Sequence, residues 1–367
     1  QANESEHRLP VVFFPDGGVL IEPSLTELAQ RIGLRTEATE PFYDLIVIGA
    51  GPAGLAAAVY GSSEGISTLL IDSESPGGQA GTSSRIENYL GFPNGVSGAD
   101  LARRATAQAS RLGAEILSAQ EVVGIGLRDP YRVVELASGA ELVCRALIVA
   151  TGVSVRQLDV PGVEAVTGAG VYYGAAVSEA AHYRGKHVFV VGGANSAGQG
   201  AVFLSKYAER VTMLVRGSLA KSMSSYLIKQ IEHRENIDVQ LGVEVAEVHG
   251  EQRLEKITVR DRETGEVRSH ATLAMFLFIG ARPHTEMLGK LVELSPAGFL
   301  LTGPDLYVDG KRPAGWKLKR DPFLMETSVP GVLAAGDVRH GVIRRVASAV
   351  GQGSAAISFV HEYLKTV

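Results

Sequence analysis

Cysteine is nearly absent: the chain has one, Cys144, in 367 residues. A lone thiol excludes an intramolecular disulfide and any two-thiol redox pair within the chain. Long apolar runs are also missing, since none reaches the ~18 residues that a membrane-spanning helix needs. No charged, then apolar, then small-residue leader opens the sequence. The first residue is Gln rather than Met, which suits a processed or truncated start, and the expected compartment is the cytoplasm. Neither sign of charge dominates. With a net charge of −5 and 20% charged residues, there is no electrostatic footprint for nucleic acid or an anionic membrane. No His/Cys/Asp/Glu cluster has metal-ligand spacing, and no Gly-x-Ser-x-Gly elbow marks a hydrolase.

Glycine is plentiful, at 43 residues, and it gathers in short turns. The clearest follows the apolar strand Tyr43–Ile48, as Gly49-Ala50-Gly51-Pro52-Ala53-Gly54. A helix is expected over Leu55–Glu64 and a second strand over Ser67–Ile71, ending on Asp72. In such a βαβ unit Gly49 permits the tight turn, Gly51 lets a pyrophosphate approach the backbone, and Gly54 lets helix and strand pack closely. The free N–H groups of the helix start face the phosphates. Asp72, about 20 residues on, stands where an acid accepts ribose hydroxyls. Strand, glycines, helix, strand and acid agree on a dinucleotide site.

A second unit begins at His187–Val191 and continues as Gly192-Gly193-Ala194-Asn195-Ser196-Ala197, with a helix expected to Tyr207 and a strand over Val211–Val215. Ala194 replaces the middle glycine and Ala197 the third. The second strand ends on Arg216, with Lys221 further on, rather than on an acid. A cation there suits the 2′-phosphate of NADPH, whereas an acid would favour NAD. The alternative is a decayed site. Late in the chain, Val332–Ala335 leads into Gly336-Asp337, which by itself is a plain strand end but resembles the late motif of flavoprotein reductases, a resemblance that implies a hydrogen bond from a flavin ribityl chain to the Asp.

The remaining segments frame these motifs. Leu9–Phe14 and Val19–Ile21 read as a hairpin and Leu25–Ile32 as a helix. This ββα piece is either a surface arm or the second half of a thioredoxin-like fold whose first half is missing. Ser73–Gly98 reads as loop and Gly98–Leu112 as helix. Strands are expected over Ala114–Leu117, Tyr131–Leu136, Glu141–Ala150 and Phe276–Gly280, and a last helix over Ala347–Leu364. Cys144, inside an apolar strand, reads as a small packed hydrophobe. Thr302–Arg320 reads as an inserted loop, its basic stretch Lys311–Arg320 being either a solvated face or a docking surface.

From about Tyr43 to Leu364 the chain resembles bacterial-type (low molecular weight) thioredoxin reductase. Several motifs carry the resemblance in order: the Gly49–Gly54 turn; Gly77-Gly78-Gln79; Ile86-Glu87-Asn88-Tyr89 with Gly91-Phe92-Pro93; Ala150-Thr151-Gly152; the second nucleotide turn; Ile279-Gly280; and Thr327–Gly331 leading into Ala335-Gly336-Asp337. The resemblance implies two Rossmann-like domains, with an NADPH domain (158–282) inserted in an FAD domain (40–157 and 283–367) behind an N-terminal arm (1–39). It implies FAD held by Gly49, Gly51, Pro52, Ala53, Gly54, Asp72, Gly78, Gln79, Asn88, Thr151, Gly152, Gly336 and Asp337. Arg345, Val346 and Ala347 would lie beside the flavin ring. NADPH would be held by Gly192, Gly193, Asn195, Ser196, Ala197, Arg216, Lys221, Ile279 and Gly280. It further implies a homodimer, and hinges near Val153–Pro161 and Gly280–Pro283.

One departure alters the expected chemistry. Where the resembled family carries its two redox cysteines this chain has Gly174-Ala175-Ala176-Val177, so Gly174 and Val177 replace both thiols. Arg216 and Lys221 remain in the second site, but Gly217 stands where a second Arg is common. The expectation is an FAD-dependent NADPH oxidoreductase that passes hydride from NADPH to FAD and then to an external acceptor, protein carrier or small molecule. One alternative is a ferredoxin- or flavodoxin-NADP reductase-like electron transferase; another is a non-catalytic flavin-bound sensor or regulatory module.

Overall fold

The computed structural model describes residues 9–83, 85–174 and 177–367. The chain divides into two compact units, Gln1–Ser154 with Arg282–Val367, and Val155–Ala281.

The first unit opens on a ββα arm. Strands β1 (Val11–Phe13) and β2 (Val19–Ile21) pair antiparallel, with Val12 opposite Leu20. Helix α1 (Leu25–Arg31) starts on a capping box, in which Ser24 and Glu27 each accept the other's backbone N–H. This satisfies two helix-end donors reciprocally. The strand expected from Leu9 begins only at Val11. Thr26 Oγ1 donates to the Ala119 carbonyl at 3.0 Å, tying the arm to the rest of the unit.

The elements that follow are β3 (Phe42–Ile48), α2 (Pro52–Ser63), β4 (Thr68–Ile71), α3 (Gly78–Gly81), α4 (Gly98–Arg111), β5 (Glu115–Leu117), β6 (Val122–Arg128), β7 (Tyr131–Leu136), β8 (Glu141–Val149) and β9 (Val153–Val155). Leu45–Ile48 and Thr68–Ile71 are buried throughout, as an unbroken apolar run is in a parallel sheet covered on both faces. Two expectations are corrected here, and one strand is added. Helix α2 begins at Pro52, not Leu55, because proline suits the first helical position, where its missing N–H costs nothing. Ser73–Gly98 is not all loop, since the one-turn helix α3 lies within it. Strand β6 was not anticipated, because Gly124 and Gly126 break its alternation.

The second unit contains β10 (Val171–Tyr173), α5 (Val177–His182), β11 (His187–Val191), α6 (Asn195–Leu204), β12 (Arg210–Val215), α7 (Ser225–Glu232), β13 (Ile237–Leu241), β14 (Val243–His249), β15 (Lys256–Asp261), β16 (Val267–Ala271) and β17 (Met275–Leu277). A five-stranded parallel sheet in the order β10-β17-β11-β12-β13 forms its centre, and β14-β15-β16 form a separate antiparallel layer. Val188 and Val190 face one way, towards Ala197, Ala201 and Leu204 of α6. Phe189 and Val191 face the other way, towards Val245, Ile257 and Val259 of the antiparallel layer. Helix α6 stops at Leu204 rather than Tyr207, and β17 stops at Leu277, so Ile279 and Gly280 lie in a connection and not in a strand.

The chain returns to the first unit through β18 (Ala281–Pro283), which pairs with β9, then β19 (Val332–Ala334) and α8 (Val346–Leu364). The sheet runs β5-β4-β3-β8-β7-β6, with β19 also beside β8. Leu45, Val47, Leu333 and the inner face of α8 at Ala356, Ile357 and Val360 form one core. Ile46, Ile48, Leu147 and Val149 form a second core on the opposite face, with Leu288 and Leu300. Two Rossmann-like units are therefore present, as expected for this α/β class: the second is built on a wholly parallel sheet, whereas in the first the parallel strands β5-β4-β3-β8 and β19 are extended by β7 and β6, which pair antiparallel.

Candidate functional site

The carboxyl end of β3 runs into a turn that only glycine permits. Gly49 has φ +98°, and a Cβ there would stand 2.5 Å from the Ala150 carbonyl oxygen. A Cβ on Gly54 would lie 1.8 Å from the Gly49 oxygen, so strand and helix pack backbone to backbone. Gly51 differs. It is the N-cap of α2 at φ −71°, and a Cβ on it would meet nothing within 4 Å. No side chain caps α2 and no acid lies in its first turn. The result is open space in front of unclaimed N–H groups, the arrangement that seats an anion.

Segments distant in sequence close around this turn. Gly77 N–H donates to the Ala50 carbonyl at 2.8 Å. A Cβ on Gly78 would stand 3.0 Å from Gly51 Cα, and one on Gly336 would stand 2.9 Å from Ala53 Cβ. Gly78 and Gln79 are exposed. Asp72 Oδ2 accepts the Ala50 N–H at 2.6 Å and Oδ1 the Glu74 N–H at 2.9 Å. Burial pushes this carboxyl above its ordinary value, and the Ala50 N–H opposes the shift. The carboxylate thus braces the glycine turn, a role absent from the sequence reading, which assigned it to ribose alone.

The other expected contributors in this unit lie on four elements. Thr151 and Gly152 follow β8. Thr151 Oγ1 donates to the His284 carbonyl at 2.6 Å, and His284 N–H donates to the Gly152 carbonyl at 3.2 Å. His284 Nε2 also bonds Ser154 Oγ at 2.8 Å. Sequence reasoning missed His284, which no motif signals. Gly336 N–H donates to Gln352 Oε1 at 2.9 Å, and that oxygen also accepts from Arg339 Nη1 at 3.0 Å. Asp337 is half-buried; burial raises its carboxyl while the Arg344 charge opposes the rise. Arg345 is the N-cap of α8, which begins at Val346 and Ala347 with no side-chain cap. Asn88 stands apart, exposed on a loop closed at its base by Ile86 N–H donating to the Val96 carbonyl at 2.7 Å.

In the second unit, Gly192 has φ +138°, and a Cβ there would stand 2.5 Å from the Phe278 carbonyl oxygen. Ala194 is the N-cap of α6, which also lacks a side-chain cap. Ala194, Asn195 and Ser196 are exposed, whereas Ala197 is fully buried in the core. Asn195 Oδ1 accepts the Ser224 N–H at 2.8 Å, and Ser222 Oγ donates to the Gly193 carbonyl at 3.1 Å. Residues 222–224 therefore close on the start of α6. Arg216, directly after β12, and Lys221 are exposed. Gly280 accepts Arg156 N–H at 3.1 Å.

Gly174, at φ +95°, donates its N–H to the Leu277 carbonyl at 3.0 Å, and Val177 opens α5. Ala175 and Ala176 lie outside the described residues. Cys144 is fully buried and its thiol is pushed up to about 12, so it carries no reactive thiolate. The Thr302–Arg320 segment contains one 3-10 turn, Gly303–Leu306. Its end is fixed by Arg320, which donates to both oxygens of the fully buried Glu326 at 2.6 and 2.8 Å. Among the described residues no group of three His, Cys, Asp or Glu is placed to hold a metal, and no helix is long and apolar enough to cross a membrane.

Residues 43–353 match the model of the pyridine nucleotide-disulphide oxidoreductases. The chain belongs to that family. Within it the chain is similar to thioredoxin reductase of Bacillus subtilis, 33% identical over 329 residues, 89% of this chain and 96% of the relative. It is also 32% identical over 321 residues to the "34.2 kDa protein in rubredoxin operon" of Clostridium pasteurianum, covering 88% of this chain and 97% of that one. The crystal structure of thioredoxin reductase from Streptococcus pyogenes superposes with a TM-score of 0.76 at 30% identity, covering 90% of this chain and all of that one. The thioredoxin reductase family uses FAD and NADPH. This chain is thus a thioredoxin reductase-like oxidoreductase with one cysteine in its sequence.

Proposed function

We propose that the chain is an FAD-dependent NADPH oxidoreductase that delivers electrons to an external acceptor instead of an internal dithiol. The observation that carries the reading is the open space before Gly51 at the uncapped start of α2, ringed by Gly78 and Gly336. The residues there fit a dinucleotide pyrophosphate: N–H groups aim at it, no acid repels it, and glycine alone allows the backbone approach. In this reading the Gln1–Ser154/Arg282–Val367 unit takes FAD and the Val155–Ala281 unit takes NADPH. NADPH would supply hydride to the flavin, which would release electrons to the acceptor.

The protein's own part is positioning. Asp72 holds the glycine turn through the Ala50 N–H and leaves lone pairs for a ribose. Asp337 and Thr151, with Gly152, would meet the ribityl and ring portions, and Asn88 and Gln79 the outer parts. The Arg345–Ala347 start of α8 would favour negative charge on the ring through its helix dipole. Gly192, Gly193, Asn195, Ser196 and Ala197 would seat the second pyrophosphate, Arg216 and Lys221 the 2′-phosphate, and Ile279 and Gly280 the nicotinamide end. A homodimer and either a one-electron carrier protein or a small-molecule acceptor complete the reading.

A second reading, a flavin-bound sensor without turnover, is favoured by one observation: Asn195 spends its side-chain oxygen on Ser224. Anaerobic mixing of the purified flavoprotein with NADPH, and separately NADH, separates the two. Rapid loss of flavin absorbance with NADPH is the expected result. No loss with either nucleotide would overturn the enzyme reading in favour of the sensor.

A further inference from the structure

A phosphate monoester carries close to two negative charges at neutral pH and is held best by more than one cation, arginine above all because of its forked donors. At the carboxyl end of β12 only Arg216 follows the strand directly. Its neighbour Gly217 contributes no side chain, and a Cβ there would meet nothing within 4 Å. Into this neighbourhood a second guanidinium arrives from a different layer. Arg262 follows the end of β15, and its N–H donates to the carbonyl of Gly242, the residue after β13. Strands β13 and β12 pair with Leu241 beside Val215. This register brings Arg262 to the end of β12, where its Nη1 donates to the Arg216 carbonyl at 3.2 Å.

We propose that Arg262 is a further cation of the site that recognises the adenosine 2′-phosphate, acting together with Arg216 and Lys221 and supplying from the end of β15 the charge that Gly217 does not. The proposal rests on the reading of the Val155–Ala281 unit as the NADPH-binding one. Arg262 is exposed, and its Nε lies 3.5 Å from Glu244 Oε2. That carboxylate is shared with Arg260, whose Nη1 is 3.9 Å from Oε1. The pair orients Arg262 without consuming it: Nη2 has no partner among the described residues. Two arginines against one glutamate leave a net positive charge, to which Arg216 adds. Discrimination of NADPH from NADH is then divided between two chain segments, β12 with its following turn and β15.

The test is calorimetric titration of the full-length protein with adenosine 2′,5′-bisphosphate and with 5′-AMP, which differ only in the 2′-phosphate. The wild type is expected to bind the bisphosphate more tightly. Arg262→Gln is expected to reduce that preference about tenfold, ~1.4 kcal/mol, with 5′-AMP affinity little changed. Arg262→Lys is expected to retain part of it. Arg260→Gln, which removes the same charge from the same glutamate, should leave the preference within about twofold, as expected of a charge that acts only at long range in salt. A wild-type preference that survives intact in Arg262→Gln overturns the proposal and leaves the NADPH reading standing. Equal losses in Arg260→Gln and Arg262→Gln overturn it as a general field effect. No preference in the wild type overturns the NADPH reading itself.

Discussion

Replacing Gly51 and Gly54 separately by alanine isolates the ligand from the fold. At Gly51 the backbone has φ −71° and the new methyl would meet nothing within 4 Å. Alanine restricts the unfolded chain, worth about 0.4–1 kcal/mol in favour of folding. It is also a poorer N-cap than glycine, by about 0.5–1 kcal/mol. The two terms oppose each other, so the apoprotein should keep its stability to within about 1 kcal/mol. The methyl nevertheless occupies the space in front of the α2 N–H groups. Hydrogen bonds to a charged group contribute about 1.5–3 kcal/mol each. Losing one or two of them weakens FAD binding by at least about tenfold, ~1.4 kcal/mol. At Gly54 the added Cβ lies 1.8 Å from the Gly49 oxygen, and neither atom belongs to a flexible side chain. Overpacking of that kind costs about 1–3 kcal/mol or more, so Gly54→Ala should lose stability and flavin together. Urea unfolding of the apoproteins gives the first quantity, and quenching of free flavin fluorescence on titration gives the second. If Gly51→Ala binds FAD as the wild type does, the open space at α2 is not the pyrophosphate seat.

Two further outcomes follow from the titratable groups. Asp337 has its carboxyl raised by burial above the ordinary 3.8, so the fold prefers it protonated. Its contribution to stability is complete below the unfolded value and is lost as pH rises through the raised folded value. Asp337→Asn should therefore show a smaller fall in apoprotein urea midpoint between about pH 4 and about pH 7 than the wild type; parallel curves would refute this. Cys144, with its thiol at about 12 and no exposure, should resist iodoacetamide in the native protein and label fully in denaturant. Stoichiometric labelling of the native protein would contradict the buried placement.

Much of this protein was legible locally. A βαβ unit spans about thirty residues, and its glycines act on their own immediate turn, so Gly49–Gly54 and Gly192–Ala197 announce themselves without knowledge of any partner. The same holds for the continuous apolar runs at Leu45–Ile48 and Val188–Val191, and for the missing second thiol. Elements whose pattern is interrupted were less visible: Gly124 and Gly126 hid β6, and the one-turn helix α3 is too short to show a period. What only the tertiary structure decided is which distant groups meet. Asp72 braces Ala50, His284 bonds both Thr151 and Ser154, Gly336 approaches Ala53, and Arg262 reaches Arg216. Each of these meetings depends on strand order and register, such as β19 and β3 lying on either side of β8 or Leu241 lying beside Val215. Register is set by the burial of whole sheet faces, a property of many residues at once that no single motif carries.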